Sequence, residues 1–338
     1  MLLRELLALH GVSGNEGEVR SFILEQAKVL ADRVEVDALG SVLAWKDAAK
    51  PNAKTVMLAA HMDEVGFIVQ YVREDGLLRY LPVGGIDPAV CVSKRVLVGK
   101  DKVPGVLGSK AVHLQEPEER THPFTHDKLF IDIGARDKKD ALTKVKVGDF
   151  VSFDGPIVDF GFGLLKARAL DDRVGCAVLL ELLQGRYDVN LCCAFTVQEE
   201  IGLNGSLVSA RRVQPDIGIA FEGTTANDTA GARVHEEVCT LGKGPTISFM
   251  DRASIATPWL FAHLCKLAED KGLSWQLKRG VAGGNDAGSM QRAGQGVATA
   301  VISVPCRYIH SPSPVCCLKD VEGALLLGRA FLESAGSL

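Results

Sequence analysis

The chain has 338 residues, 47% hydrophobic and 24% charged, the balance of a soluble globular protein that buries a full core. A formal net charge of -4 leaves no basic surface for nucleic acid, and no window approaches eighteen uncharged apolar residues, which argues against a membrane span. The nine cysteines, odd in number and never spaced C-x-x-C, fall mostly inside apolar runs and read as reduced core thiols of a cytoplasmic protein.

Leu2–Leu9 carries leucines around Arg4 and Glu5, which predicts a short amphipathic helix rather than a signal peptide. After the polar turn Gly11–Glu16, a second helix is expected over Glu16–Leu30, with Val19, Phe22, Ile23 and Val29 on its apolar face. Val34–Trp45 alternates loosely as strand, broken by Gly40. Thr55–Ala60 is a stronger strand running straight into His61-Met-Asp63-Glu64. Positions two apart share a strand face, so His61 and Asp63 are expected on one side, as a ligand and its neighbour.

From Val65 to Asp159 the texture changes. Short β-rich pieces (Gly66–Val72, Leu77–Pro82, Lys94–Val98, Val103–Leu107, Leu129–Ile133, Phe150–Phe153) are separated by Gly, Pro and charge clusters, the pattern of a small barrel or sandwich. Residues 66–160 thus read as a β-rich domain inserted into an α/β domain made of 1–65 and 161–338. Leu114–His126 is polar and Pro-punctuated, an exposed loop whose His122 and His126 are expected to be solvated.

Beyond Phe160 the α/β texture returns. Lys166–Leu170 leads to Asp171-Asp172 and a buried helix over Arg173–Leu183. Leu191–Val197 is apolar on both faces, as in a parallel sheet covered by helices, and stops at Glu199-Glu200. A helix over Ser206–Arg212 and a strand, Asp216–Phe221, ending at Glu222 come next. Then follow a short strand at Pro245–Phe249, a helix at Pro258–Leu267, a strand-like Leu273–Leu277 and the Gly-rich loop Gly280–Gly288. The strand Val297–Pro305 leads to Tyr308-Ile-His310-Ser-Pro, and the helix Asp320–Glu333 closes the sequence.

Several strands therefore end in carboxylates or histidine. Taken singly, an Asp pair before a helix is an N-cap, a His after a strand is a hydrogen-bonded surface residue, and a Glu pair is solvated. Gathered at one edge of one sheet, where ligands bind in open α/β folds, unpaired carboxylates repel unless cations neutralise them. Two histidines with several carboxylates suit zinc, cobalt or manganese. One acid shared by two metals, with one His and one acid for each, makes a two-metal hydrolytic site; Glu199, adjacent to a ligand Glu200, is placed to act as general base.

His61-Met-Asp63, Ala169-Leu-Asp171-Asp172-Arg, Gln198-Glu199-Glu200-Ile-Gly, the strand ending at Glu222, Gly283-Gly-Asn-Asp286-Ala-Gly and Cys306-Arg-Tyr-Ile-His310-Ser-Pro resemble the tetrahedral, or glutamyl, aminopeptidases, a family of co-catalytic metallopeptidases. The resemblance spans essentially the whole sequence, including Gly84-Gly-Ile-Asp-Pro-Ala-Val. It implies a mixed sheet sandwiched by helices, in the phosphorylase/hydrolase-like manner, with an inserted small β-barrel domain. It also implies two divalent metal ions per subunit, held by His61, Asp171, Glu200, Glu222 and His310 with Asp171 bridging. Glu199 is then the general base, Asp63 the acid orienting His61, and Asp172 a non-ligand. Many members carry Asp where this chain has Glu222. The insertion becomes a dimerisation domain, with dimers assembling into a tetrahedral dodecamer.

The implied activity is removal of N-terminal residues from short peptides, with a water activated between the metals attacking the first carbonyl. Asn285 and Asp286 either line the substrate pocket or hold a turn by Asx bonds. Arg252, Arg279 and Arg307 are candidate pocket cations, and Arg252 and Arg307 read equally as structural salt-bridge partners. A deacetylase, a carboxypeptidase or a glycosidase on the same scaffold remains open, as does a non-catalytic assembly protein.

Overall fold

The computed structural model describes residues 1–233, 236–281 and 283–338. Near-continuous apolar runs, buried on both faces, build a central sheet with a helical layer on each side. Before the barrel come helices α1 (Leu3–Ala8) and α2 (Gly17–Leu30), then strands β1 (Arg33–Val36), β2 (Val42–Lys46) and β3 (Thr55–His61). On α2, Val19, Ile23 and Ala27 form the buried i, i+4 stripe. Val29, expected on that face, is exposed because it stands two residues, about 200°, beyond Ala27 and so on the opposite side of the helix.

The barrel strands are β4 (Gly66–Val72), β5 (Leu78–Val83), β6 (Arg95–Val98), β7 (Val103–Gly108), β8 (Phe130–Asp132) and β9 (Phe150–Phe153). They close in the order β4-β5-β8-β7-β6-β9, so the barrel and not the sandwich is formed. Helices α3 (Pro88–Cys91), α4 (Pro117–Thr121) and α5 (Lys138–Leu142) lie in its connections. Phe67, Leu78, Val96, Leu107, Ile131 and Val151 belong to a core separate from that of the α/β part. Leu114–His126 is mostly exposed, yet His126 is half-buried: Nδ1 meets the Tyr80 hydroxyl at 3.2 Å and Nε2 the Ile86 carbonyl at 3.0 Å. It is therefore a structural pin and not a solvated loop residue.

The second half contributes β10 (Val158–Asp159), β11 (Leu164–Lys166), α6 (Leu170–Leu182), β12 (Asn190–Thr196), α7 (Asn204–Val213), β13 (Ile217–Thr225), β14 (Thr246–Ser248), α8 (Pro258–Asp270), β15 (Gln276–Lys278), α9 (Asp286–Met290), β16 (Ala298–Arg307), β17 (Val315–Cys317) and α10 (Leu318–Ala335). Within the expected loop Gly280–Gly288, Ala282 lies outside the described residues, and the last residues belong to α9.

The sheet runs β1-β2-β12-β3-β13-β16-β17-β11-β10, with β14 and β15 branching from β16. Its central strands β12, β3, β13 and β16 are parallel, so their carboxyl ends share one edge. Val56, Leu58, Leu191, Phe195, Ile219 and Ile302 face one core with α1, α2, α6, α8 and α10. Met57, Ala59, Cys192, Ala194, Ala220 and Val301 face the other with α7 and α9. All nine cysteines are free, and among the described residues no helix is long and apolar enough to cross a membrane.

Candidate metal centre and substrate cavity

The shared strand edge assembles the predicted polar residues. His61 is the last residue of β3, paired in register with Thr196 of β12, so Glu199 and Glu200 emerge beside it. Glu222 does not end its strand: β13 continues through Thr225, paired with β16, and the carboxylate projects from inside the sheet. The tight turns that aim these groups use non-glycine left-handed backbone at Gln198 (φ 56°) and His310 (φ 57°), strain that neighbouring structure must hold in place.

Asp171 and Asp172 sit in non-helical backbone ahead of the regular part of α6. Asp172 is fully buried; its Oδ1 accepts from the Gly175 amide at 2.9 Å and its Oδ2 from the His61 amide at 3.2 Å. It caps the helix and ties it to β3. Asp171 faces the cavity: Oδ1 lies 3.4 Å from His61 Nε2 and Oδ2 lies 3.6 Å from His310 Nε2. Glu222 Oε2 completes the first group at 3.6 Å from His61 Nε2, and Glu200 Oε1 the second at 3.2 Å from His310 Nε2. Glu199 Oε2 stands further from His61 Nε2, at 3.9 Å.

Both imidazoles present the same nitrogen. His61 Nδ1 lies 3.1 Å from the Asp63 carbonyl, and His310 Nδ1 lies 2.7 Å from the Gly85 carbonyl on the barrel. A carbonyl only accepts, so in the neutral ring Nδ1 carries the hydrogen and the Nε2 lone pair faces the carboxylates. The Asp63 carboxylate has a wider role than orienting His61. One oxygen is 3.5 Å from Nδ1, while the pair accepts from the Glu199 and Glu200 amides at 3.1 and 3.2 Å, fixing the direction of both side chains.

The electrostatics favour a cation. Burial raises the carboxyl pKa values of Glu199, Glu200 and Glu222, and neighbouring carboxylates raise them further. At Asp171 burial acts the same way, but the His310 and His61 imidazoles outweigh it and hold the group below its ordinary value. Burial opposes charge on His310 as well, yet Asp171 and Glu200 push its pKa up to about 11. So many buried acids on two imidazoles call for positive charge, and among the described residues Asp171 Oδ1 has no hydrogen-bond partner. Ligand atoms around a tetrahedral ion bound at about 2.0–2.1 Å stand about 3.3 Å apart. The imidazole-to-carboxylate separations of 3.2 to 3.6 Å suit that geometry, and the nitrogen/oxygen donor set suits a divalent ion.

Behind the centre lies a buried clamp. Both oxygens of Glu64 contact Arg168, whose Nη2 also donates to the Leu9 carbonyl at 2.6 Å; the fully buried Arg173 donates to the Met62 and Leu6 carbonyls at 3.0 and 2.8 Å. Glu64 is thus the anion facing two buried guanidinium groups. Glu64→Gln is expected to lower the unfolding free energy by about 3–5 kcal/mol, as removal of one partner of a buried pair does. Urea titration checks this, and a loss below about 1 kcal/mol would contradict the clamp.

The groups open into a cavity of about 460 Å³, lined on its other sides by Thr224, Thr225, Lys278, Gly283, Gly284 and Asn285. Asn285 caps α9, accepting from the Ala287 amide at 3.0 Å, and still reaches the cavity wall. Asp286 does not: it is fully buried behind the wall, accepting from the Thr196 hydroxyl at 2.6 Å. None of the three candidate arginines lines the cavity, and Arg307 is held by Asp228 at 2.6 and 2.8 Å. Sequence reasoning missed the wall cation, Lys278. It ends a three-residue strand, where nothing in the spacing marks it.

Known proteins resemble this chain over nearly its whole length. The family of M42 glutamyl aminopeptidases matches over residues 40–327. The glutamyl aminopeptidase of Lactococcus lactis subsp. cremoris is 32% identical, over 98% of this chain and 95% of its own. Among solved structures, an aminopeptidase from the archaeon Desulfurococcus kamchatkensis superposes with a TM-score of 0.94 at 35% identity, covering 98% of this chain and 93% of its own. The TET1 peptidase of Pyrococcus horikoshii, described as assembling into a tetrahedron or a large octahedral shell, gives a TM-score of 0.86 at 30% identity and covers 98% of each chain.

Proposed function

The chain belongs to the M42 glutamyl aminopeptidase family and is a metal-dependent aminopeptidase, and from that premise we propose how its residues divide the work. His61, Asp171 and Glu222 hold one divalent ion, and His310, Asp171 and Glu200 the other, zinc, cobalt or manganese being suited to the donors. Ions bound there polarise the scissile carbonyl and acidify the attacking water. Glu199 takes the proton from that water and passes it to the departing amine. Its support is position: it borders the cavity beside His61, and its oxygen stands 3.9 Å from Nε2 where those of Asp171 and Glu222 stand at 3.4 and 3.6 Å. Asp63 keeps Glu199 and Glu200 turned apart through their amides.

Short peptides enter with the free amino terminus at the acidic end. Lys278 in the cavity wall favours an acidic first side chain. A panel of aminoacyl-p-nitroanilides tests the reading on parent and Lys278→Met enzymes. The glutamyl substrate is expected to lead in the parent and to lose about 10- to 100-fold in kcat/KM in the variant, the worth of a charged hydrogen bond. Hydrolysis of N-acetylated peptides as fast as free ones would sink the aminopeptidase assignment, whereas equal parental rates on glutamyl and lysyl substrates would sink only the role of Lys278.

The same reading makes 66–160 the dimerisation domain of a homo-oligomer. Exposed apolar side chains on the barrel, Leu81 and Val106 among them, support it.

A further inference from the structure

The turn that carries Glu199 and Glu200 is held from a distant part of the chain as well as by Asp63. Glu16 is buried, and its Oε1 accepts from the Gln198 amide at 3.2 Å and from the Gly14 amide at 2.6 Å. Glu16 occupies the N-cap position of α2, where a side chain ordinarily accepts from its own helix, yet it makes no such bond. Its carboxylate is turned instead to a residue 182 positions away. The segment that carries it is anchored beside the metal centre: the Glu64 amide donates to the Gly11 carbonyl at 2.9 Å, and the Ser13 amide to the Glu64 carbonyl at 3.1 Å.

Gln198 stands in left-handed backbone at φ 56°, which a non-glycine residue keeps only where its surroundings hold it. The two rigid peptide planes flanking it determine its φ and ψ. Asp63 holds the second plane through the Glu199 amide at 3.1 Å, and the plane after that through the Glu200 amide at 3.2 Å. The first plane depends on Glu16 at its N–H and on the Gly205 amide, which donates to the Val197 carbonyl at 3.0 Å. Without Glu16 the Gln198 N–H loses its acceptor and the strained turn gains reason to relax. The two acids do not depend on that turn equally. Glu200 is also engaged at its far end, 3.2 Å from His310 Nε2, whereas Glu199 stands 3.9 Å from His61 Nε2 and takes its aim from the backbone. We propose that Glu16 is a positioning residue for Glu199: by taking the Gln198 amide it keeps the turn that directs the Glu199 carboxylate into the cavity. The inference rests on Glu199 being the general base.

The test is a double-mutant cycle on the metal-loaded full chain, with Glu16→Ala and Glu199→Gln made singly and together. Glu16→Ala is expected to lower kcat by about 10- to 100-fold, the cost of a misplaced general base, with KM for peptide and metal content after dialysis unchanged. In the Glu199→Gln background the same change is expected to cost less than about 3-fold, because the base it serves is gone. Glu16→Gln keeps a carbonyl acceptor at the same reach and is expected to recover most of the rate. Glu16→Asp, one methylene short of the Gln198 amide, takes the place of Glu16→Ala in the cycle if the melting temperature shows that the alanine variant does not fold. A parental kcat in the shortened variant overturns the proposal. So does a fall in kcat that persists undiminished in the Glu199→Gln background, that Glu16→Gln does not relieve, or that follows loss of metal. A parental rate in Glu199→Gln alone overturns the assignment of the base, and this proposal with it.

Discussion

Replacing Glu199 by glutamine is expected to leave two metals bound and to lower kcat by about 10²- to 10⁴-fold, the usual worth of a positioned general base. The substitution keeps shape and leaves a carbonyl acceptor, but the amide cannot carry a proton at neutral pH. Glu199 suits that role because burial, with Glu200 and Asp286 adding to it against the pull of His61, raises its pKa and so its basicity once ionised. Glu200→Gln separates the two members of the pair. It removes a donor that lies 3.2 Å from His310 Nε2, and the expected first loss is metal, with activity restored in part by excess ion. Metal stoichiometry after dialysis, measured beside steady-state rates, distinguishes the variants. A Glu199→Gln enzyme that turns over at the parental rate, or one that sheds metal as readily as Glu200→Gln, would defeat the division of labour.

Much of this arrangement was legible in the sequence because it rests on local patterns. Apolar runs of strand length ended in His61 and in the Glu199-Glu200 pair, and parallel connectivity brings such ends to one edge. The barrel pieces were marked by turn residues between short β-branched segments, although their closure depends on long-range pairing. What spacing left open was the split between adjacent acids. In isolation Asp171 and Asp172 are equivalent candidates for a helix cap, and only the non-helical backbone around them turns one toward Gly175 and the other toward the imidazoles. Contacts across the fold were invisible for the same reason. His310 is held by a carbonyl 225 positions away, and Lys278 reaches the cavity from a strand too short to announce itself. Asp286 misled because a Gly-rich stretch looked like open loop, whereas Asn285 caps a short helix that carries the next residue inward.

Asp171→Asn is expected to cost more metal than any other single ligand change. Each oxygen of Asp171 faces a different imidazole, at 3.4 and 3.6 Å, so the residue belongs to both donor groups. An amide retains one acceptor and turns a donor toward the other group, removing the negative charge from both at once. The loss of affinity should exceed the 10- to 100-fold typical of residues that act only behind a ligand, and peptidase activity should vanish with it. Asp172→Asn provides the contrast. Its oxygens accept from backbone amides, a task an amide carbonyl performs in part, so the expected effect is about 1 kcal/mol of stability with both metals retained. Metal titration and urea unfolding on the two variants give opposite signatures, metal loss for one and a modest stability loss for the other. If Asp171→Asn kept both ions while Asp172→Asn released them, the shared carboxylate would have been assigned to the wrong member of the pair.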